Sequence, residues 1–369
     1  MTQGRHPEIT APAPGPRFGA GRLARFAKGV VWLVVVVLVA VSITFALSRI
    51  VPADPARLAA GLEAGPEQVE RVRQDMGLDD PVMVQYVRYI TGLVRGDFGD
   101  SIRTRGPILD DVIEALPASI ELIVVSFAIF ASLGILAGAA WAYWPRGVHA
   151  ILLRVVAVAG SAVPVFWVGL LLQIFLAARP DWLPLVGPLV ARLDFPVAGN
   201  LNHEAAGIAE VTGAGLLDAL IARSPSAMWE AARVLFLPVM TIVLHNIALT
   251  IALMRSSLAD QLDREYVRAA RARGLSEWRV VVVDALRNAL NPVVTMLGLQ
   301  LGWLLGGVVI VEVIFSWPGI GLYAFSSFQS FDYNAIMAIT VLATAGFVLV
   351  NALVGQIYPL LDPRIKEAR

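Results

Sequence analysis

Six apolar runs, each about as long as a bilayer is thick, leave this chain few ways to fold. They cover residues 29–50, 119–141, 150–177, 234–258, 292–315 and 334–358. A helix rises 1.5 Å per residue, so about twenty apolar residues cross a hydrocarbon core of roughly 30 Å. Inside lipid every backbone N–H and C=O needs a partner, and a helix supplies all of them within one segment. An all-α polytopic membrane protein with six transmembrane helices is the expectation. Composition agrees, since 57% of the 369 residues are hydrophobic and 16% are charged, far from the balance of a soluble domain. Basic residues fall where a positive-inside topology places them. Arg22, Arg25 and Lys28 precede the first run, Arg146 separates the second from the third, and Arg364, Lys366 and Arg369 close the chain. Between Trp317 and Asn334 there is no Lys or Arg. Both termini are therefore expected in the cytoplasm.

Polar stretches divide the rest. Residues 1–21, rich in Pro, Gly and Ala without apolar period, read as a disordered cytoplasmic tail, and 22–51 as the first transmembrane helix. Pro52-Ala53-Asp54-Pro55 stops that helix, because a proline cannot donate to the ladder and displaces the residue before it. Residues 52–116 read as an external subdomain of short helices, with turn signals at Gly65-Pro66 and Gly77-Leu78-Asp79-Asp80-Pro81. Residues 117–358 form the transmembrane core, interrupted by an external loop at 179–231 and a cytoplasmic loop at 259–290, and 359–369 form a cytoplasmic end. Within the external loop, residues 216–221 read as an amphipathic helix on the membrane surface.

Several chemistries are excluded. With no cysteine there is no disulfide, thiolate zinc site or thiol nucleophile. His6, His149, His203 and His245 are scattered without ligand spacing, so no metal site is expected. Neither Lys28 nor Lys366 follows a GxxxxG pattern, so this chain has no loop to cradle ATP phosphates. A net charge of zero gives no footprint for nucleic acid.

Inside the spans, unusual residues mark candidate positions. Gly134 and Gly138 have the spacing of a close helix crossing. Pro164 is expected to kink the third span. His245 and Asn246 lie near mid-depth of the fourth, where polar groups either line a pathway or bond between helices, while Arg255 is expected to snorkel to the inner surface. Gly298, Gly302 and Gly306 share one stripe of the fifth span, suited to a partner-facing seam, and Glu312 near its outer end is a charge that must be answered.

The polar island between the fourth and fifth spans is the most informative loop. In Asp263-Arg264-Glu265-Tyr266-Val267-Arg268-Ala269-Ala270-Arg271-Ala272-Arg273-Gly274-Leu275, Asp263 is the expected N-cap and Gly274 the left-handed stop. Glu265 suits the positive end of the helix dipole, and Arg271 and Arg273 suit the negative end. Ala269 and Ala270 offer a flat surface for docking. A second cytoplasmic helix is expected at residues 277–288.

Arg268-Ala269-Ala270 followed by Gly274 resembles the EAA loop of ABC-importer permeases. The string from Glu265 to Leu275, and then Ala285-Leu286-Arg287-Asn288-Ala289-Leu290-Asn291-Pro292, is similar to the dipeptide/oligopeptide branch of that family. Arg268 stands where the motif's name has Glu, and no proline occupies position 287. The succession Asp54-Pro55, Gly77-Leu78-Asp79-Asp80-Pro81 and Gly96-Asp97-Phe98-Gly99-Asp100-Ser101, together with Glu312 to Gly321 and Asp362-Pro363-Arg364-Ile365-Lys366, resembles the same branch. The resemblance implies a type I importer-permease fold with six transmembrane helices in the bacterial inner membrane. It also implies partners: a second permease subunit, two ATPase subunits that bind ATP and magnesium, and an extracytoplasmic binding protein. Tyr266, Arg268, Ala269, Ala270, Arg273, Gly274 and Leu275 would then contact the ATPase, with no cofactor in this chain. Peptides are the implied cargo, with nickel chelates, glutathione or sugars as alternatives within the family. A stand-alone secondary transporter is a more distant alternative, which would bury ionisable groups at mid-membrane and show repeated halves.

Overall fold

The structure, a computed structural model, describes residues 20–50, 55–60, 64–75, 77–178 and 187–361. The expected tail through residue 19, the break at 52–54, residues 179–186 of the long loop and the stretch from Asp362 onward lie outside the described residues. In chain order the helices are α1 (Ala20–Ile50), α2 (Pro55–Ala60), α3 (Pro66–Asp75), α4 (Val82–Val94), α5 (Ile108–Tyr143), α6 (Val148–Ala162) and α7 (Val165–Leu172). They continue as α8 (Gly187–Leu193), α9 (Gly215–Ile221), α10 (Pro225–Leu262), α11 (Glu265–Ala272), α12 (Leu286–Ile314), α13 (Ile320–Gln329) and α14 (Tyr333–Leu361). π-Helical turns extend α7 over Gln173–Ala178 and lead into α12 over Arg279–Ala285. No strand occurs among the described residues.

Five helices are long and apolar enough to cross a membrane, and six if one bent pair counts once. Three run further than their apolar cores. α5 starts at Ile108 rather than 119, with Asp110 and Asp111 in its first turn, where carboxylates complement the helix dipole. α10 starts at Pro225, with Ser224 accepting the Ala227 N–H at its N-cap. The expected second cytoplasmic helix and fifth span form one continuous helix, Arg279–Ile314.

The sequence predicts a kink at Pro164, but the chain breaks there. Val163 is extended, as a residue before proline must be, and α6 and α7 diverge by 114°. A Cβ on Gly160 of α6 would lie 2.8 Å from the Leu244 carbonyl, at the middle of α10, whereas one on Gly169 of α7 would touch Thr241, Ile314 and Phe315. Beyond α7, the Gly199 N–H donates to the Phe315 carbonyl at 2.8 Å. The pair thus runs from the middle of α10, at Leu244, towards Thr241 and the Phe315 end of α12.

α10 is the central helix: 67% of its most apolar window is buried, against 11% for α1. Lipid gives no hydrophobic drive between helices, so close approach depends on small residues. Those are present. A Cβ on Gly134 would stand 2.7 Å from Thr250 Cβ, and one on Gly138 would stand 2.6 Å from Met254 Cβ. The expected glycine crossing is thus α5 on α10. At the edge, α1 leans on α14 and turns Val31, Trp32 and Ile43 outward, which lipid accepts.

The short-helix region is tied to the bundle at two places. The Tyr86 hydroxyl lies 2.7 Å from Ser42 Oγ, and its ring meets Phe45 edge-on at 5.3 Å. Ser101 Oγ donates to buried Asp332 at 2.6 Å, and Asp332 also accepts the Ala335 N–H in the first turn of α14.

Candidate functional site

Two short helices flank the spans at opposite faces, α11 and α13. α10 reaches Leu262, Asp263 forms its C-cap, and Arg264 begins the next helix. Asp263 is therefore not the N-cap the sequence suggests; it is spent on closing α10, and Arg264 offers no side-chain bond to α11. The other end forms as expected. Gly274 has φ +76°, its N–H donates to Arg271 and the Leu275 N–H reaches back to Ala270, the two bonds that complete a Schellman cap.

α11 divides by face. Val267 is 0% exposed and Ala270 2%, and Leu275 packs on the same cluster. Arg268, Ala269, Ala272 and Arg273 are exposed. Ala270, grouped in the sequence reading with Ala269 as docking surface, instead anchors the helix to its own bundle, because its Cβ points along the Val267 side. Tyr266 is held by its hydroxyl, which donates to Gln261 at 3.0 Å and accepts from Asn288. Arg271 pairs with Glu277 at 2.6 Å, and that bond holds the Glu277 carboxyl below its usual range and raises the arginine. Arg268 donates one bond to the Asp263 carbonyl at 3.0 Å. Beside this helix, Trp278 is 73% exposed, and the Arg255 guanidinium lies 4.7 Å over the Trp141 ring. The expected snorkelling arginine is thus seated on an aromatic face.

At the opposite face Glu312 is 0% exposed. Its carboxylate accepts from Ser119 Oγ at 2.6 Å and from the Gly321 and Leu322 amides at 2.7 and 3.1 Å. Ser119 in turn accepts the Ile320 N–H at 2.8 Å. The charge therefore sits on the first turn of α13, where free N–H groups and the helix dipole favour an anion. Neighbouring residues are chosen by the same contact: a Cβ on Gly319 would fall 2.4 Å from Glu312 Oε2, and one on Gly321 2.6 Å from Val309 Cα. Trp317, fully buried, donates its indole N–H to the Ala118 carbonyl at 2.9 Å. Glu121 repeats the device on α5, accepting the Leu216 and Leu217 amides of α9 at 2.6 and 3.4 Å. Buried Asp218 of α9 accepts from the Thr212 hydroxyl and amide, from the Val211 and Gly213 amides, and from His203.

Between the faces, polar groups meet along α10. His245 Nδ1 lies 3.3 Å from the Val163 carbonyl, which the break at Pro164 exposes. Asn246 Nδ2 donates to the Ile242 carbonyl of its own helix, the Asn246 backbone carbonyl accepts from Gln300, and Thr250 donates to Gln300. On α12 the glycine stripe separates. Gly298 and Gly302 are buried, and a Cβ on Gly302 would touch Asn351 and Phe347 of α14, whereas one on Gly306 would meet nothing within 4 Å. Sequence reasoning missed Ser119, Glu121, Asp218, Gln300 and Trp317; the motif around Trp317 carried a signal, but its partners lie about two hundred residues away in the chain.

The described residues thus form a multi-pass bundle of apolar helices with a capped short helix beside its spans. The chain belongs to the family of binding-protein-dependent transport system inner membrane components, whose model matches residues 132–367, with the N-terminal model of the same system matching 23–133. It is 38% identical to the probable D,D-dipeptide transport system permease protein DdpB of Escherichia coli (strain K12), covering 90% of this chain and 94% of that protein. It is 33% identical to the dipeptide transport system permease protein DppB of Alkalihalophilus pseudofirmus, covering 90% and 97%. The glutathione transport system permease protein GsiC of Pectobacterium atrosepticum is 33% identical, covering 92% and 98%.

Proposed function

We propose that this chain is a permease subunit of an ATP-driven importer, forming with a second permease the path for di- or oligopeptides delivered by an extracytoplasmic binding protein. The observation that carries this reading is α11: its inner face is locked to the bundle through Val267 and Ala270, while its outer face is bare. A helix held this way transmits force from a partner instead of performing chemistry. Two ATPase subunits supply the partner surface and bind ATP with magnesium, since no phosphate-cradling motif is present in this chain. The face bearing α11 is then cytoplasmic, as are both termini, and the face bearing α13 is external. Closure of the ATPases moves α11, and α10 moves with it because Asp263 and Arg264 alone separate the two helices. His245 and Asn246 ride on the moving helix, the break at Pro164 lies beside it, and together they contribute to the pathway or its gate. Gly306 lies on the open side of α12 and serves the seam with the second permease.

Dipeptide is the first cargo to test because two of the relatives are named dipeptide permeases. Glutathione is the second, on the relative named for it, and as a tripeptide it presents similar chemistry. The test is uptake of a labelled dipeptide into proteoliposomes containing the complex, with unlabelled glutathione as competitor. Uptake that requires both ATP and binding protein supports the importer; uptake that persists without any ATPase subunit overturns it.

A further inference from the structure

The outer face of α11 is chemically specific. Viewed down the helix, Val267 and Ala270 mark the buried side, so Glu265, Ala269 and Ala272 form the outermost ridge, with Arg264 and Arg268 along one edge and Arg273 along the other. Among the described residues no carboxylate lies within 4 Å of Arg264, Arg268 or Arg273, whereas Arg271 is neutralised by Glu277. Arg268 spends one of its five donors on the Asp263 carbonyl, which orients the guanidinium and leaves the rest of the fork free.

Two environments could answer these charges. Anionic lipid attracts dense basic clusters flanked by apolar residues that enter the membrane. Here the arginines are interleaved with exposed Asp260, Asp263 and Glu265, and the rest of the ridge, Ala269 and Ala272, offers no large apolar side chain to enter a membrane. A protein groove fits better. Small ridge residues allow a close approach, and guanidinium forks pair with carboxylates in a bidentate way that lysine cannot reproduce. We propose that the ATPase groove receiving α11 is narrow and lined with carboxylates that pair with Arg264 and Arg268 along one edge and Arg273 along the other. This rests on the reading of α11 as the ATPase-coupling helix.

Because the chain has no cysteine, Ala269→Cys gives a single reporter on the ridge. In neutral-lipid nanodiscs, Ala269→Cys is expected to cross-link to an ATPase subunit. Against the same ATPase, Arg268→Glu is expected to weaken association at least tenfold and Arg268→Lys about threefold, with wild-type affinity falling as salt rises. Wild-type affinity in Arg268→Glu, with the cross-link intact, overturns the charge pairing and leaves the coupling reading standing. Absence of any ATPase cross-link in a complex that still imports overturns the coupling reading itself. A loss seen only in phosphatidylglycerol membranes assigns the arginines to lipid headgroups and also overturns the proposal.

Discussion

α13 and α11 are short helices at opposite ends of the same bundle, yet they handle charge in opposite ways. At α13 the buried carboxylate of Glu312 finds every partner inside the chain: Ser119, Gly321 and Leu322. At α11 three arginines lack any carboxylate among the described residues, and the apolar contacts of Val267 and Ala270 do the anchoring instead. A charge with all its partners at home is part of the scaffold, however unusual its depth. The exposed arginines of α11 have no counter-charge among the described residues, and under the proposal above the ATPase supplies it. The sequence alone ranks Glu312 as a functional candidate; the structure makes it the clasp of the Trp317-Pro318-Gly319 turn.

The comparison breaks most easily at Glu312. Glu312→Ala leaves Ser119 and two amides without an acceptor in a buried site, a loss of roughly 3–5 kcal/mol. We expect the variant to fail to accumulate in membranes. Glu312→Gln, which can turn its carbonyl to the amides and its N–H to Ser119, should cost about 1 kcal/mol. Equal loss in both, measured by thermal unfolding in detergent, would mean that charge rather than acceptor geometry holds the turn.

Gly138→Val tests the scaffold at its other close point. Its Cβ would meet Met254 at 2.6 Å and the Ile251 carbonyl at 2.7 Å, in a crossing with backbone on one side. Overpacking of this kind costs about 1–3 kcal/mol and should lower the unfolding temperature. An unchanged temperature would show that α5 can slide on α10.

Gly274→Val should behave in the opposite way. Nothing lies within 4 Å of its Cβ, so the damage is confined to φ +76°, about 1–2 kcal/mol for a residue with a side chain. Protein levels are expected to hold while ATP-driven uptake falls at least tenfold. Uptake at wild-type rates would show that the Schellman cap is dispensable for coupling.

Asp218 sharpens the scaffold side through pH. Burial pushes its carboxyl up, but bonds from the Thr212 hydroxyl and amide and from the Val211 and Gly213 amides outweigh it, and the net shift is downward. A depressed folded value stabilises above the unfolded value, about 3.9, and that stability disappears as pH falls through the folded value. The hydrogen-exchange protection factors of residues 211–218, corrected for the intrinsic pH dependence of amide exchange, should therefore be high at neutral pH and fall below about pH 4, whereas in Asp218→Asn they should not change with pH in that range. The smallest effect belongs to Arg271→Ala. Its exposed pair with Glu277 is worth less than about 0.5 kcal/mol, and unfolding temperature should not move measurably.

What could be read from sequence follows the same division. Span number was legible because lipid demands about twenty apolar residues wherever a helix crosses. Helix ends were not, because Asp110, Ser224 and Arg279 are compatible with helix and carry no apolar signal; α5, α10 and α12 ran past their apolar cores. Gly274 was legible since left-handed caps are local. Ala270 was not, because its inward direction depends on which side of α11 meets the bundle. Pro164 signalled a disturbance, but the size of the break, 114°, and the meeting of the Val163 carbonyl with His245, eighty-two residues away, are set by packing that no local pattern encodes. His245 Nδ1 meets the Val163 carbonyl across from α10, whereas the Asn246 side chain bonds Ile242 of its own helix and only its backbone carbonyl accepts from Gln300.

α10 is a lever. From Leu262, next to α11, to Pro238, the proline that interrupts its ladder, the shaft is about 36 Å long at 1.5 Å per residue. A tilt of about 5° imposed at the α11 end displaces the Pro238 end by roughly 3 Å, the width of a water molecule. Thr241, against Gly169 of α7, sits one turn from that point. A small rotation below thus arrives, magnified by length alone, at the place where the chain turns across the bundle.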